Sequence, residues 1–358
     1  MNILCICPIG IGNYILVYPA CSYLHKVLPD AKLHLLALRA PISGLAQGDP
    51  LWEKIHCIDP TRKQPVSKIL SFFKELRDER FDVSISFFPS NTWQYNFLPF
   101  VSAISQRLAF SYTLKKTASL SFLNSKKLAT DPSLHDIDQN LKLVSHFFPS
   151  DLYQNEIRFP QLFTDQDKSQ CLSMLGDSGK RIKIGIHPGS SSEHGMDAKR
   201  WASEKFGRLA DLICEKLDAE ALIFGGPDES ELKKQTSGSM KQPNRIIGNV
   251  SLRLTSALIN ECKLMLCNDS GLMHIAASSG VPVIALFGPT DECRNGPYGS
   301  EHLVLRKQMA GFPLWTAQNV GSRKVPQGID PQASLNALTP EEAWESVLPW
   351  LKMRFPIR

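Results

Sequence analysis

The stretch Leu264 to Asp291, LMLCNDSGLMHIAASSGVPVIALFGPTD, constrains the fold more than any other part of the chain. It reads as a buried strand that stops, a short polar turn, a helix entered at a hydroxyl residue, and a second apolar strand ending in Gly288-Pro289-Thr290. Apolar runs bracketed by Asn, Asp and Gly are what a parallel sheet covered on both faces requires. Asn268, Asp269 and Ser270 then lie at the C-terminal end of the first strand, where open α/β sheets bind their ligands. Ser270 can cap the helix and leave the N–H groups of Gly271, Leu272 and Met273 facing an anion. His274 sits one turn beyond Ser270 on the same face.

A chain of 358 residues is long for one core and comfortable for two. The formal charge of +5 is modest and no Lys/Arg block resembles a nucleic-acid arm. The start, MNILCICPIGIGNYILVYPA, has no cationic lead, so it reads as strand, loop and helix rather than as a signal peptide. No run reaches 18 uninterrupted apolar residues, and a spanning helix is not expected. The nine cysteines mostly fall in apolar runs without a redox or zinc spacing, which predicts structural thiols in a reducing compartment.

Taken in order, Asn2 to Pro8 is a strand leading into the loop Ile9-Gly10-Ile11-Gly12-Asn13, and Tyr14 to Val27 has helical periodicity. Two glycines at such a junction allow a tight turn and close approach of a ligand. Strands over 32–38, 54–58 and 81–88, with a helix over 66–79, fit a parallel doubly wound domain. Trp93, Tyr95 and Phe97 either stack on a sugar or lipid or pack internally. Residues 119–130, with Lys126 and Lys127, read as a loop excursion. His135 opens a helix through Phe148, as a functional imidazole or as a cap-region residue.

A polar stretch places the domain boundary near residue 165. Beyond it a strand over 182–186 meets His187-Pro188-Gly189-Ser190-Ser191-Ser192, a phosphate cradle or simply a solvated loop. Lys199 is a cation at the mouth of the same sheet, available to balance a leaving diphosphate. A strand over 221–224 ends at Gly225-Gly226-Pro227-Asp228-Glu229, where Glu229 can accept from a ribose diol or serve as a helix N-terminal charge. Strand 246–249 and helix 252–259 follow; 296–325 is loop-rich, and 340–355 is a helix able to pack across the domain junction. There is no P-loop, G-x-S-x-G or H-E-x-x-H, which removes ATP hydrolysis and metalloprotease chemistry.

Together GIGNYILVYPA, HDIDQN at 135–140, IGIHPGSS, KRW at 199–201, LIFGGPDE and NDSGLMHIAASSGVPVIALFGPTD resemble the bacterial lipopolysaccharide heptosyltransferases of glycosyltransferase family 9. The resemblance implies the GT-B architecture: two Rossmann-like, doubly wound parallel-sheet domains facing across a cleft. It implies an acceptor-binding domain over 1–165, a donor-binding domain over 166–345, and a helix end and tail over 346–358. The implied reaction is an inverting, metal-independent transfer of heptose from an ADP-activated or other nucleotide sugar to a lipopolysaccharide core or glycolipid acceptor. No cofactor and no metal are implied. A cytoplasmic monomer in peripheral contact with the inner membrane is expected, with no nucleic-acid partner. By position, Ser190, Ser191, Ser270, Gly271 and His274 would surround the diphosphate, Lys199 would oppose its charge, Asp269 would orient the sugar and Glu229 the ribose. Gly10, Gly12, Asn13 and His135 would serve the acceptor.

One position departs from the family pattern, which has aspartate after the second loop glycine as the general base. Here the pair is Gly12-Asn13, and an amide can orient a hydroxyl but cannot take its proton at neutral pH. Three accounts stay open: another base such as His135, late proton loss to water, or weak or absent activity. A GT-B transferase using another nucleotide sugar and a non-catalytic nucleotide-sugar-binding protein are the alternatives. An oxidoreductase is disfavoured because neither half has the full G-x-G-x-x-G fingerprint. Lys199→Ala is expected to cut turnover by orders of magnitude with the fold intact.

Overall fold

Short apolar strands cannot bury unpaired backbone groups, and in both halves of the chain they pair side by side in parallel. The computed structural model describes residues 1–60, 62–112, 119–151, 158–176, 181–316 and 325–355. The first half runs β1 (Asn2–Cys7), α1 (Ile11–Val27), β2 (Lys32–Ala37), α2 (Ala40–Ala46), β3 (Lys54–Cys57), α3 (Val66–Asp78), β4 (Val83–Ser86), α4 (Trp93–Val101), β5 (Gln106–Ser111), β6 (Lys126–Ala129) and α5 (Asp136–Phe147). Its sheet is parallel throughout, in the order β3-β2-β1-β4-β5-β6.

The second half runs α6 (Asp165–Leu175), β7 (Ile182–His187), α7 (Ser203–Leu217), β8 (Ala219–Ile223), α8 (Ser230–Ser239), β9 (Asn244–Ile246), α9 (Leu252–Asn260), β10 (Leu264–Asn268), α10 (Gly271–Ser278), β11 (Val283–Leu286), α11 (Glu292–Asn295), β12 (His302–Leu305), α12 (Ala333–Ala337) and α13 (Pro340–Arg354). Its parallel sheet is ordered β12-β11-β10-β7-β8-β9, which is the first sheet's order counted from β7. Each half is thus a doubly wound Rossmann-like unit, and the pair is the GT-B plan. The strand order reverses between β1 and β4 in one and between β7 and β10 in the other. Loops leaving those strands are where each sheet offers a binding crevice.

The chain divides into two compact units, Met1–Gln161 and a second beginning at Leu162. Leu4, Ile6, Leu36, Phe72, Leu76 and Phe81 build one core; Ile184, Ile186, Phe206, Leu264, Leu266 and Ile284 build part of the other. Helix α13 docks Val347, Trp350 and Leu351 into the second unit's own core, against α7 and β12. Among the described residues no helix is long and apolar enough to cross a membrane. The nine cysteines carry no disulfide; seven are buried, and burial raises thiols such as Cys171, to about 11.

Three strands differ from expectation. The excursion over 119–130 contains β6, an exposed edge strand whose Lys126 and Lys127 suit a sheet border. β12 lies inside the loop-rich 296–325 segment, of which residues 317–324 fall outside the described chain. The expected strand over 246–249 is instead Asn244–Ile246, in register with Ala221–Ile223. Such short strands exist because a neighbour pairs with them, not because their own residues demand it.

Candidate active site

Asn268, fully buried at the end of β10, ties the second unit's switch point together. Its Nδ2 donates to the Pro188 carbonyl at 2.8 Å, and its Oδ1 accepts from the Trp201 backbone N–H at 3.0 Å. Trp201 is itself buried against Phe206 and donates its indole N–H to the Leu338 carbonyl at 3.1 Å. These anchors fix the segment carrying Lys199. The Lys199 ammonium lies 3.2 Å from Asp269 Oδ2, with the two side chains only 11% and 3% exposed. Burial would raise the Asp269 carboxyl, but the charge of Lys199, then His274 and hydrogen bonds to the group, outweigh it and hold it below its ordinary value. Asp269 therefore stays an anion with acceptor capacity.

Next to it Ser270 caps α10, accepting from the Met273 N–H at 3.4 Å. His187, at the end of β7, places Nδ1 3.0 Å from Ser270 Oγ and Nε2 3.1 Å from Glu229 Oε2. The carboxylate can only accept, so Nε2 carries a proton, and Nδ1 and the Ser270 hydroxyl share the second hydrogen bond. The result is a relay from the α10 cap through His187 to Glu229. Ser270 spends its hydroxyl inside this relay and on the Met273 N–H, which leaves the N–H groups of Gly271 and Leu272 as the donors for an anion.

Glu229 Oε2 also accepts from the Gly226 N–H at 2.8 Å, and Arg200 lies 3.8 Å from its other oxygen. Burial raises this carboxyl too, but the His187 hydrogen bond and charge, Gly226 and Arg200 together bring it below the ordinary value. A Cβ on Gly189 would stand 1.9 Å from Glu229 Oε1, so glycine is required there by the carboxylate's position. Gly189→Ala is expected to cost about 1–3 kcal/mol by prising a buried charge from its donors. Urea unfolding checks this; unchanged stability would mean that Glu229 is not anchored as described.

The remaining expected residues fall as follows. Ser190 is buried, its hydroxyl donating to the Met196 carbonyl at 3.2 Å, while Ser191 is exposed and accepts from the Glu193 N–H at 3.3 Å. His274 is buried on the first turns of α10, near enough to Asp269 to act on its charge. Sequence reasoning missed Arg306, and it placed His187 and Asn268 at the strand ends without the hydrogen bonds they make there. The Arg306 side chain is 3% exposed and paired with Glu292 and the Thr290 carbonyl, with Nε and Nη1 left without partners among the described residues. Its only sequence signal was a lone Arg within a loop-rich stretch.

In the first unit, Gly10 takes φ 127° ahead of α1 and Asn13 Nδ2 donates to the Ile9 carbonyl at 2.6 Å. Gly12 falls in the first turn of α1. The Tyr95 hydroxyl accepts from the Ile9 N–H at 3.1 Å, so α4 holds the same loop; Trp93 and Phe97 are exposed. His135 caps α5, with Nδ1 accepting from the Ile137 N–H at 3.2 Å. A neutral ring bonded that way carries its proton on Nε2, and accepting another requires giving up the cap.

The expectation of no cofactor does not stand. His34, His56 and Glu79 present ligand atoms within 4.8 Å of one another, with both histidines buried, a group able to hold a metal ion.

The family model described as "Glycosyltransferase family 9 (heptosyltransferase)" matches residues 69–318. Lipooligosaccharide heptosyltransferase 2 of Haemophilus ducreyi is 32% identical over 169 residues, 44% of this chain and 47% of that protein. The match thus spans about half the length of that relative. Lipooligosaccharide heptosyltransferase 2 of Campylobacter jejuni is 25% identical over 310 residues, 83% of this chain and 84% of that one. The solved structure of the Escherichia coli ADP-heptose lipopolysaccharide heptosyltransferase II shares the fold, with a TM-score of 0.74 at 21% identity over 99% of both chains.

Proposed function

Since the chain belongs to glycosyltransferase family 9, we propose that it moves a heptose from an ADP-activated donor to a lipopolysaccharide-core acceptor, inverting the anomeric carbon. The observation that carries the reading is the buried Lys199–Asp269 pair beside the N-terminus of α10. As the glycosidic bond to the diphosphate breaks, negative charge grows on the leaving nucleotide. Lys199 and the N–H groups of Gly271 and Leu272 are fixed donors for that charge, with His274 and the Ser190-Ser191 loop at its border. Asp269 accepts from hydroxyls of the sugar, and Glu229 Oε1 is the oxygen left for the ribose. Gly10, with Gly12 and Asn13 in the first turn of α1, serves the acceptor in the first unit. Asn13 orients the attacking hydroxyl, whose proton leaves to water late in the displacement. A lipid-anchored acceptor sets this reaction at a membrane surface reached peripherally.

Donor choice is tested by calorimetry with ADP, UDP and GDP. ADP is expected to bind about tenfold or more tighter than the others, since a base-reading site left with unpaired groups rejects the wrong nucleotide. Preference for UDP would instead support a transferase of another activated sugar. A second reading, a nucleotide-sugar-binding protein without turnover, is favoured by Asn13, whose amide nitrogen is tied to Ile9.

A further inference from the structure

A second constellation lies on the first sheet, away from the loops that follow β1 and β4. His34 is the third residue of β2 and His56 the third of β3; the register pairs His34 with Lys54 and Leu36 with His56, so the histidines are diagonal neighbours on one face. The end of α3 covers that face with Glu75 and, one turn later, Glu79. Phe81 closes the cluster edge-on, its ring centroid 4.9 Å from that of His34.

His34 Nδ1 and His56 Nε2 are 3.2 Å apart. Two imidazole nitrogens bound at 2.0–2.1 Å to one tetrahedral ion stand about 3.3 Å apart. The other nitrogen of His56, Nδ1, meets Glu75 Oε1 at 2.8 Å. That is the carboxylate contact which orients a metal-binding histidine and fixes its tautomer, leaving Nε2 as the donor atom. Nε2 of His34 is buried without a hydrogen-bond partner among the described residues, so it can carry that ring's proton and free the Nδ1 lone pair. A Glu79 oxygen completes a set within 4.8 Å. Lys54 engages Glu79 Oε1 at 2.7 Å, and Oε2 carries no hydrogen bond among the described residues. The Lys54 side chain is 44% exposed, so its ammonium can turn to solvent when a dication arrives.

We propose that His34 Nδ1, His56 Nε2 and a Glu79 carboxylate oxygen bind a first-row transition-metal dication, of the zinc or iron(II) class, as a structural tie between β2, β3 and α3. Two imidazoles and one carboxylate suit such an ion better than magnesium or calcium, which take oxygen ligands. Glu79 is about a quarter exposed, which gives the ion an entry path and water a place in the fourth position. The proposal is independent of the glycosyl-transfer reading.

The test uses the full chain with its purification tag removed, stripped with chelator and titrated with Zn²⁺ and, as a spectroscopic probe, Co²⁺. Wild type should take up about one equivalent and develop the visible bands of tetrahedral cobalt. Glu79→Gln, at the solvent-facing helix end, should abolish those bands without altering circular dichroism. Glu75→Gln should weaken binding about 10- to 100-fold. Uptake below about a tenth of an equivalent, or binding by Glu79→Gln and His34→Gln equal to wild type, would overturn the site. If His34→Gln does not fold, the two glutamate variants decide it.

Discussion

Replacing Lys199 with alanine should lower turnover at saturating donor by about 10²- to 10³-fold, the loss typical of removing one fixed donor to developing charge. The structure adds a consequence that the sequence hid. Lys199 is the buried counter-ion of Asp269, so the fold does not stay intact at no cost: an unpaired buried carboxylate costs about 3–5 kcal/mol. Lower activity could therefore arise from unfolding alone. Lys199→Ala combined with Asp269→Ser separates the two effects, because the double variant buries no unpaired charge. Its thermal stability should return most of the way to wild type. Asp269 is assigned to the sugar, so the informative comparison is nucleotide release in slow donor hydrolysis, which Lys199 serves and sugar orientation affects less. A double variant that recovers both stability and nucleotide release would make Lys199 a structural residue.

Asn13→Asp should raise turnover about 10²-fold, within the range that a general base supplies. In the native loop Asn13 Nδ2 gives a hydrogen bond to the Ile9 carbonyl, and a carboxylate in the same place would set oxygen against oxygen at 2.6 Å. The new side chain must therefore rotate away from Ile9. It sits in the first turn of α1, where the helix dipole favours an anion. The loop loses about 1 kcal/mol from one hydrogen bond and gains a group that can take a proton. The pH–rate profile of the variant should acquire an acid limb near pH 4, about where an aspartate titrates, and the wild-type profile should lack it. An unchanged rate with no new limb would mean that proton removal does not limit the reaction.

What could be read from the chain alone follows the physical range of each signal. The β10–α10 unit was legible because its apolar run, its Ser270 cap and its turn residues are contiguous, and each acts within a few positions. The Rossmann-like units were legible for the same reason, repeated along the chain. The His187 relay was not: it joins residues 42 and 83 positions apart through a strand register that no local pattern reports. His34, His56 and Glu79 likewise form no spaced motif and meet only because β2 and β3 pair as they do under α3. The expectation of a chain without a metal-competent group failed at that point. His135 shows the opposite limit, since both of its readings lay in the sequence and only the geometry displays the bond to Ile137. Asn13 was visible as a departure, but its hold on Ile9 depends on which way the amide points.

The measurement that tests the central claim most directly is nucleotide release from ADP-heptose by the purified protein, with and without a heptose-terminated lipopolysaccharide-core acceptor. ADP release that depends on acceptor, with heptose appearing on the acceptor in inverted configuration, is the predicted result. Tight donor binding with no acceptor-dependent release, in wild type and in Asn13→Asp alike, would contradict it.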